Sequence, residues 1–98
     1  MKLKNINFFL HFLTTGHLEV VNYLLDNGSK IDAKSKSGRT PLYCAAFNGH
    51  FEVVKCLIEN GAEAEAKSKC GRTPIHAAEM NKHKNIANFL KNFLNFSS

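Results

Sequence analysis

Residues 38–50 read GRTPLYCAAFNGH, and residues 71–83 read GRTPIHAAEMNKH, a related segment that begins 33 residues later. The similarity extends beyond these segments, because an alignment of residues 16–48 with residues 49–81 gives 18 identities in 33 positions. Self-similarity at a fixed period of this length is the mark of a repeat architecture. The chain is therefore predicted to be built from successive 33-residue units.

Each unit is predicted to contain two helices. The GRTP segments supply a threonine, which caps helix N-termini well, followed by a proline, which fits the first helical position. Short helices are predicted from these prolines to about Phe47 and, one unit later, to about Met80. A second helix is predicted over about 51–59, where apolar residues fall on one helical face, and its counterpart over 84–94.

Polar segments separate the helix pairs. Residues 28–39 and 61–72 are rich in lysine and bounded by glycine. This composition is typical of loops and turns and does not suit buried elements. Both segments are predicted to form extended hairpin loops between successive helix pairs.

These motifs resemble the ankyrin repeat, with its G-x-T-P-L-H-x-A-A, Gly-His, Val-Val and Asn-Gly elements. The matching stretches include Gly38–Ala46, Gly71–Glu79 and the Asn-Gly pair at 60–61, and the resemblance covers about residues 8–93. It implies an all-α repeat solenoid of stacked antiparallel helix pairs joined by β-hairpin-like loops. The expected organisation is a single array over 1–98: an incomplete N-terminal repeat or cap (1–27), a full repeat (28–60), a C-terminal repeat or cap (61–93) and a tail (94–98).

The chain departs from the family pattern at a few positions. The family histidine, which usually bonds to the backbone of the neighbouring hairpin, is kept at His76 but replaced by Tyr43 one unit earlier. Ser35 and Ser68 occupy the position at the hairpin tip where the family usually has aspartate. Lys82 replaces the glycine of the Gly-His pair, and the polar face of the following helix suits a C-terminal cap.

The first unit lacks the Thr-Pro start and carries an apolar run that includes Phe8, Phe9 and Phe12. Two readings are open. This unit is either a divergent N-terminal cap, or the sequence is a fragment of a longer array without independent function. In either case the apolar N-terminus is a candidate surface for self-association.

No catalytic or cofactor function is expected. The 98-residue chain contains no H-E-x-x-H, no G-x-S-x-G and no glycine-rich phosphate loop. His17, His50 and His83 recur every 33 residues and would lie on successive layers, about 8–10 Å apart, too far apart to share one metal ion. We expect no enzyme activity, no cofactor and no metal site.

The cysteines indicate a reducing compartment. Their number is odd and no two form a C-x-x-C pair, so a disulfide framework is not expected. Cys44 and Cys56 occupy positions that suit packing, whereas Cys70 lies in a loop. We expect a cytoplasmic protein, with a nuclear location as the alternative, and expect neither secretion nor a membrane-spanning segment.

The charge pattern indicates where a partner binds. Net charge is +5, which favours acidic partners. The resemblance implies binding through the hairpin tips and the inner face of the first helices, and it transfers twelve candidate residues: Lys34, Lys36, Ser37, Arg39, Phe47, Asn48, Lys67, Lys69, Cys70, Arg72, Met80 and Asn81. We call their six lysines and arginines the basic strip.

The leading hypothesis is a non-catalytic protein-interaction module that binds an acidic segment of a partner protein through this strip and the adjacent helix face. The alternative is nucleic-acid binding by the same strip. The strip contains no interleaved aromatic residues for base stacking and no recognition-helix arrangement, so nucleic acid is the less favoured ligand.

Overall fold

The structure, a computed structural model, describes residues 30–97. The incomplete first unit and the apolar N-terminus, with the predicted self-association, lie outside these residues. All regular secondary structure in 30–97 is helical, with four helices: α1 (Pro41–Phe47), α2 (Phe51–Glu59), α3 (Pro74–Met80) and α4 (Lys84–Ser97). The predicted all-α fold is confirmed. We refer to residues 30–60 as repeat A and to residues 61–97 as repeat B.

Both first helices begin as predicted, at a threonine followed by proline. The Thr40 hydroxyl accepts a hydrogen bond from the backbone N–H of Tyr43 at 3.2 Å. Thr73 accepts one from the N–H of His76 at 3.4 Å. Each hydroxyl satisfies an N–H that has no partner within its helix, which typically stabilises a helix by about 1 kcal/mol.

The turn between the two helices of each repeat needs a left-handed residue. Gly49 has φ +78° in repeat A, and Lys82 has φ +62° at the equivalent position of repeat B. A side chain with a β-carbon is strained in this region of backbone conformation, by about 1–2 kcal/mol. Repeat B therefore keeps the family's turn geometry although it has lost the glycine.

Helix α4 is longer than the sequence suggested. It continues through Ser97, whereas the prediction ended it at residue 94 and assigned residues 94–98 to a tail. The last two residues of the predicted range, Phe93 and Leu94, are half-buried against the core. Their burial holds the end of α4 against the core, and the helix continues for three residues beyond them.

A single apolar core runs through both repeats. Alanines of α1 and α3 are fully or almost fully buried and let these two helices lie side by side, so that α1 packs on α2 and α3, and α3 packs on α4. Phe51 of α2 meets Phe89 of α4 edge to face, with ring centroids 5.5 Å apart. The largest fully buried apolar side chains of the core are Leu42, Tyr43, Leu57, Ile86 and Leu90.

The hairpins contain backbone hydrogen bonds without forming assigned strands. In repeat A, Ser35 N–H donates to the Arg39 carbonyl at 3.0 Å; in repeat B, Ser68 N–H donates to the Arg72 carbonyl at 2.9 Å. A further bond joins the two hairpins, from Lys69 N–H to the Ser37 carbonyl at 3.0 Å. The loops are thus hairpin-like, as predicted, and they stack in the same order as the helices.

Two glycines of repeat A lie directly against repeat B. A β-carbon on Gly38 would be 2.8 Å from the backbone nitrogen of Lys69, and one on Gly49 would be 2.6 Å from the His83 ring. Both distances are shorter than real contacts allow. Glycine is therefore required at these positions for two reasons: it allows the positive φ angle, and it allows the two repeats to approach closely.

Candidate functional site

The basic strip is a continuous surface across the two hairpins. Five of its six residues are exposed, and only Arg39 is half-buried. The ammonium group of Lys34 donates to the Lys67 carbonyl at 3.3 Å, next to the backbone bond between Lys69 and Ser37. The hairpins are therefore held in register, so equivalent lysines of repeats A and B lie side by side.

Serines at the hairpin tips perform a local backbone role. The Ser35 hydroxyl accepts a hydrogen bond from Arg39 N–H at 3.3 Å, and Ser68 accepts one from Arg72 N–H at 3.4 Å. Ser35 also shares a hydrogen bond with the exposed Ser37 at 3.1 Å. A hydroxyl can make these turn-closing contacts in place of a carboxylate. The substitution for aspartate makes each tip more positive without loss of the turn.

Arg39 is occupied within the protein. Its guanidinium carbon lies 5.1 Å from the ring centroid of Tyr43 and 5.6 Å from that of Phe47. The two rings are nearly parallel, with centroids 6.4 Å apart. A cation over aromatic faces is stabilised by their negative quadrupole. Arg39, Tyr43 and Phe47 therefore form one closed stack, which the sequence did not reveal.

The equivalent positions of repeat B form an open groove. Arg72, His76 and Met80 replace the three stacked residues, and all three are exposed, Met80 at 46%. Together with Gly71 and Glu79 they line a groove of about 390 Å³. Arg72 forms no guanidinium–ring contact within residues 30–97. The three positions that form a stack in repeat A are thus exposed to solvent in repeat B.

Sequence reasoning missed His76 and Glu79 as lining residues of this groove. Glu79 stands where repeat A has the buried Ala46, and this exchange of a small apolar residue for a charged one was the available signal. Glu79 forms an ion pair with Lys91 at 2.8 Å. The hydrogen bond and charge of Lys91 lower the pKa of the Glu79 carboxyl, so this residue is ionised at neutral pH.

His76 bonds within its own repeat. Its Nδ1 accepts a hydrogen bond from Thr73 N–H at 3.0 Å, which completes a reciprocal capping box with the Thr73 hydroxyl. The sequence had suggested a bond from this histidine to a neighbouring hairpin, and no such bond is formed in residues 30–97. Because Nδ1 is an acceptor, the neutral ring carries its proton on Nε2.

Two predicted contact residues, Asn48 and Asn81, already serve the fold through their side-chain amides. Asn48 donates to the Cys44 carbonyl at 2.8 Å and closes the end of α1. Asn81 donates across the repeat boundary to the Phe47 carbonyl at 2.7 Å. Asn81 thereby joins α1 and α3 at the edge of the candidate surface, next to Met80.

The cysteines lie as predicted: Cys56 is buried, Cys44 is half-buried and Cys70 is exposed on the hairpin of repeat B. Burial raises the pKa of the Cys44 thiol, and the nearby Arg39 charge only partly offsets this. Within the described part of the chain, no three His, Cys, Asp or Glu side chains are grouped to hold a metal ion. Within the same part, no helix has the length and apolar character needed to cross a membrane.

Stacked helix pairs with projecting hairpins, joined by hydrogen bonds between residues about 33 positions apart, define a helical repeat solenoid. A family model described as ankyrin repeats, in three copies, matches residues 7–97. The chain belongs to the ankyrin repeat family, whose members generally mediate protein–protein interaction. A search of curated proteins finds no match.

Proposed function

We propose that this chain is a non-catalytic interaction module that binds an acidic segment of a partner protein along the basic strip. The observation that carries the proposal is the alignment of the two lysine-rich hairpins by the Lys34–Lys67 and Lys69–Ser37 hydrogen bonds. An extended acidic segment that crosses both hairpins meets the same pattern of cations twice. Complementary charge of this kind increases the association rate and helps to select the partner.

Not all twelve candidate residues contribute in the same way. The exposed lysines of the strip supply charge, and Met80 is the exposed apolar residue beside them. Arg39 and Phe47 act indirectly, because their stack with Tyr43 supports the hairpin of repeat A. An apolar contact surrounded by charged residues is the usual composition of a protein-binding patch.

A matched pair of charge-reversal variants tests the proposal. One carries Lys36→Glu and Lys69→Glu, at equivalent exposed positions of the two hairpins. The other carries Lys82→Glu and Lys84→Glu, which are exposed at the turn before α4 and at its start. Each change lowers the net charge by two, so both variants carry the same total charge and differ only in its location.

The measurement is capture of proteins from a cell lysate by the purified native chain and both variants, with and without nuclease. We expect a discrete set of proteins, resistant to nuclease, that the Lys82/Lys84 variant retains and the Lys36/Lys69 variant loses. Equal loss by both variants would show that only net charge matters and would reject the strip as the site. Capture that disappears after nuclease treatment would favour the nucleic-acid alternative.

A further inference from the structure

The arginine that begins each first-helix segment has different surroundings in the two repeats. In repeat A, the guanidinium of Arg39 covers the rings of Tyr43 and Phe47 at 5.1 and 5.6 Å. In repeat B, Arg72 stands at the same position, but His76 and Met80 replace the two aromatic residues. The arginine is thus retained while the rings that it would cover are absent.

We propose that the groove lined by Arg72, His76 and Met80 binds an aromatic side chain of the partner's acidic segment. This inference rests on the proposed function and specifies the residue that anchors the segment. The ring would lie in the groove between these side chains, with the Arg72 guanidinium over its face, as Arg39 lies over rings in repeat A, and the Met80 thioether beside it. Both contacts favour aromatic over aliphatic side chains.

The size of the groove fits this occupant. Its volume of about 390 Å³ is at the low end of ligand pockets in proteins, which is sufficient for a side chain and too small for a large cofactor. Met80 is 46% exposed and provides apolar surface that a ring would remove from water. His76 adds the Nε2–H donor, which can pair with a polar group on the ring or beside it.

The distribution of charge explains why a neutral ring, and not a carboxylate, enters the groove. Glu79 forms one wall of the groove and is ionised, so it disfavours a second carboxylate there even though Lys91 partly neutralises it. Lys67 and Lys69 lie on the hairpin that leads to Arg72. The partner's acidic residues therefore belong on the hairpin, and the aromatic residue belongs next to them in the groove.

A selection from a random dodecapeptide display library on the purified chain tests the inference. We expect the enriched peptides to combine acidic residues with an adjacent Phe, Tyr or Trp. One enriched peptide is then synthesised with a fluorescent label, together with versions in which the aromatic residue is replaced by leucine or alanine. Binding is measured by fluorescence anisotropy, and both replacements are expected to raise Kd about tenfold, as loss of a well-formed cation–π contact predicts.

Protein variants locate the site. We expect Arg72→Gln and Met80→Ala each to raise the Kd of the aromatic peptide, Arg72→Gln by about tenfold. The control is Lys84→Gln, which also removes one positive charge but at an exposed position outside the basic strip and the groove. Its Kd should remain within about twofold of the native value once long-range charge is screened by 150 mM salt. Thermal melts establish that all variants are folded.

Several outcomes would overturn the inference. Equal weakening by Lys84→Gln and Arg72→Gln would mean that only overall charge matters. Unchanged binding of the leucine peptide would mean that the groove does not select aromatic rings. Enrichment of acidic peptides without aromatic residues would reject the groove but leave the proposed function in place. Enrichment without acidic residues, or none at all, would reject both.

Discussion

Repeats A and B have similar sequences, but repeat B packs against one side of repeat A, and the equivalent side of repeat B is exposed. Gly38 and Gly49 of repeat A lie against backbone and ring atoms of repeat B. Gly71, the equivalent of Gly38, has the same φ of +79° but no atom of the described residues within 4 Å of a β-carbon placed on it. Identical residues therefore have two different reasons for being glycine. Backbone conformation alone requires it in repeat B, and the neighbouring repeat adds a second requirement in repeat A.

The same comparison explains the open groove. Tyr43 is 2% exposed and belongs to the core that runs through both repeats, whereas its equivalent His76 is exposed. The residue types follow this difference, since an exposed position tolerates a polar ring and a buried one favours a larger apolar surface. Positions that pack inside the protein in repeat A are exposed in repeat B, where they can contact a partner.

The largest expected effect concerns the glycine pair. Gly38→Ala should lower the free energy of unfolding by about 2–4 kcal/mol, because it adds a clash with the Lys69 backbone to the strain of a positive φ. Gly71→Ala carries the strain alone and should cost about 1–2 kcal/mol. Urea unfolding followed by circular dichroism measures both. Equal losses would show that the contact between hairpins contributes nothing.

A smaller effect is expected for the arginine pair. Arg39→Gln removes the cation from two rings and should destabilise the fold by about 1 kcal/mol. Arg72→Gln removes a side chain without such contacts and should change stability by less than about 0.5 kcal/mol. The unfolding midpoints of the two variants give the comparison. A larger loss for Arg72→Gln would contradict the assignment of the closed stack to repeat A.

The third prediction concerns a substitution that gives the turn of repeat B the same residue as the turn of repeat A. Lys82→Gly relieves the strain of φ +62°, and the gain is partly offset by the greater freedom of glycine in the unfolded chain. We expect a net stabilisation of about 0.5–1 kcal/mol, seen as a higher melting temperature. Lys82→Ala is the control: it removes the long side chain but keeps the β-carbon. An equal gain for alanine would place the effect in the lysine side chain and not in the backbone.

The last prediction concerns thiol reactivity and leaves stability unchanged. Cys70 is exposed on the hairpin of repeat B, whereas Cys44 is half-buried in α1 with a raised pKa. A raised pKa means less of the reactive thiolate at any pH below it. Alkylation by iodoacetamide at pH 7.5, followed by peptide mass spectrometry, should modify Cys70 before Cys44. The opposite order would show that α1 opens more readily than the hairpin.

The sequence was sufficient to predict elements defined by local signals. The Thr-Pro pairs predicted where α1 and α3 begin, and the glycine-bounded polar segments predicted the hairpins. The predicted end of α4 was wrong, since the helix continues three residues beyond Leu94, which itself packs on the core. Contacts of that kind depend on which surface lies opposite, and helix periodicity does not specify it.

The candidate site was less predictable for the same reason. Phe47 and Met80 occupy equivalent positions in the repeat, and the sequence predicts that both lie in the partner surface. Phe47 proved to be part of the stack with Arg39, whereas Met80 lies in an open groove. The difference between Phe47 and Met80 depends on which side chains lie next to each residue in the folded protein. The 33-residue alignment makes the two positions look interchangeable, so it conceals which one is free to bind.

The junction between the repeats has a consequence for how such a chain can change in length. Its hydrogen bonds join positions about one period apart: Lys34 to Lys67, Ser37 to Lys69 and Phe47 to Asn81. Asn48 is identical to Asn81, and the Lys-Ser-Lys tips are identical in both hairpins. A copy of repeat A inserted at the boundary would place the same residues at these positions on both sides. The gene can therefore gain a unit in one recombination event without first evolving a new interface.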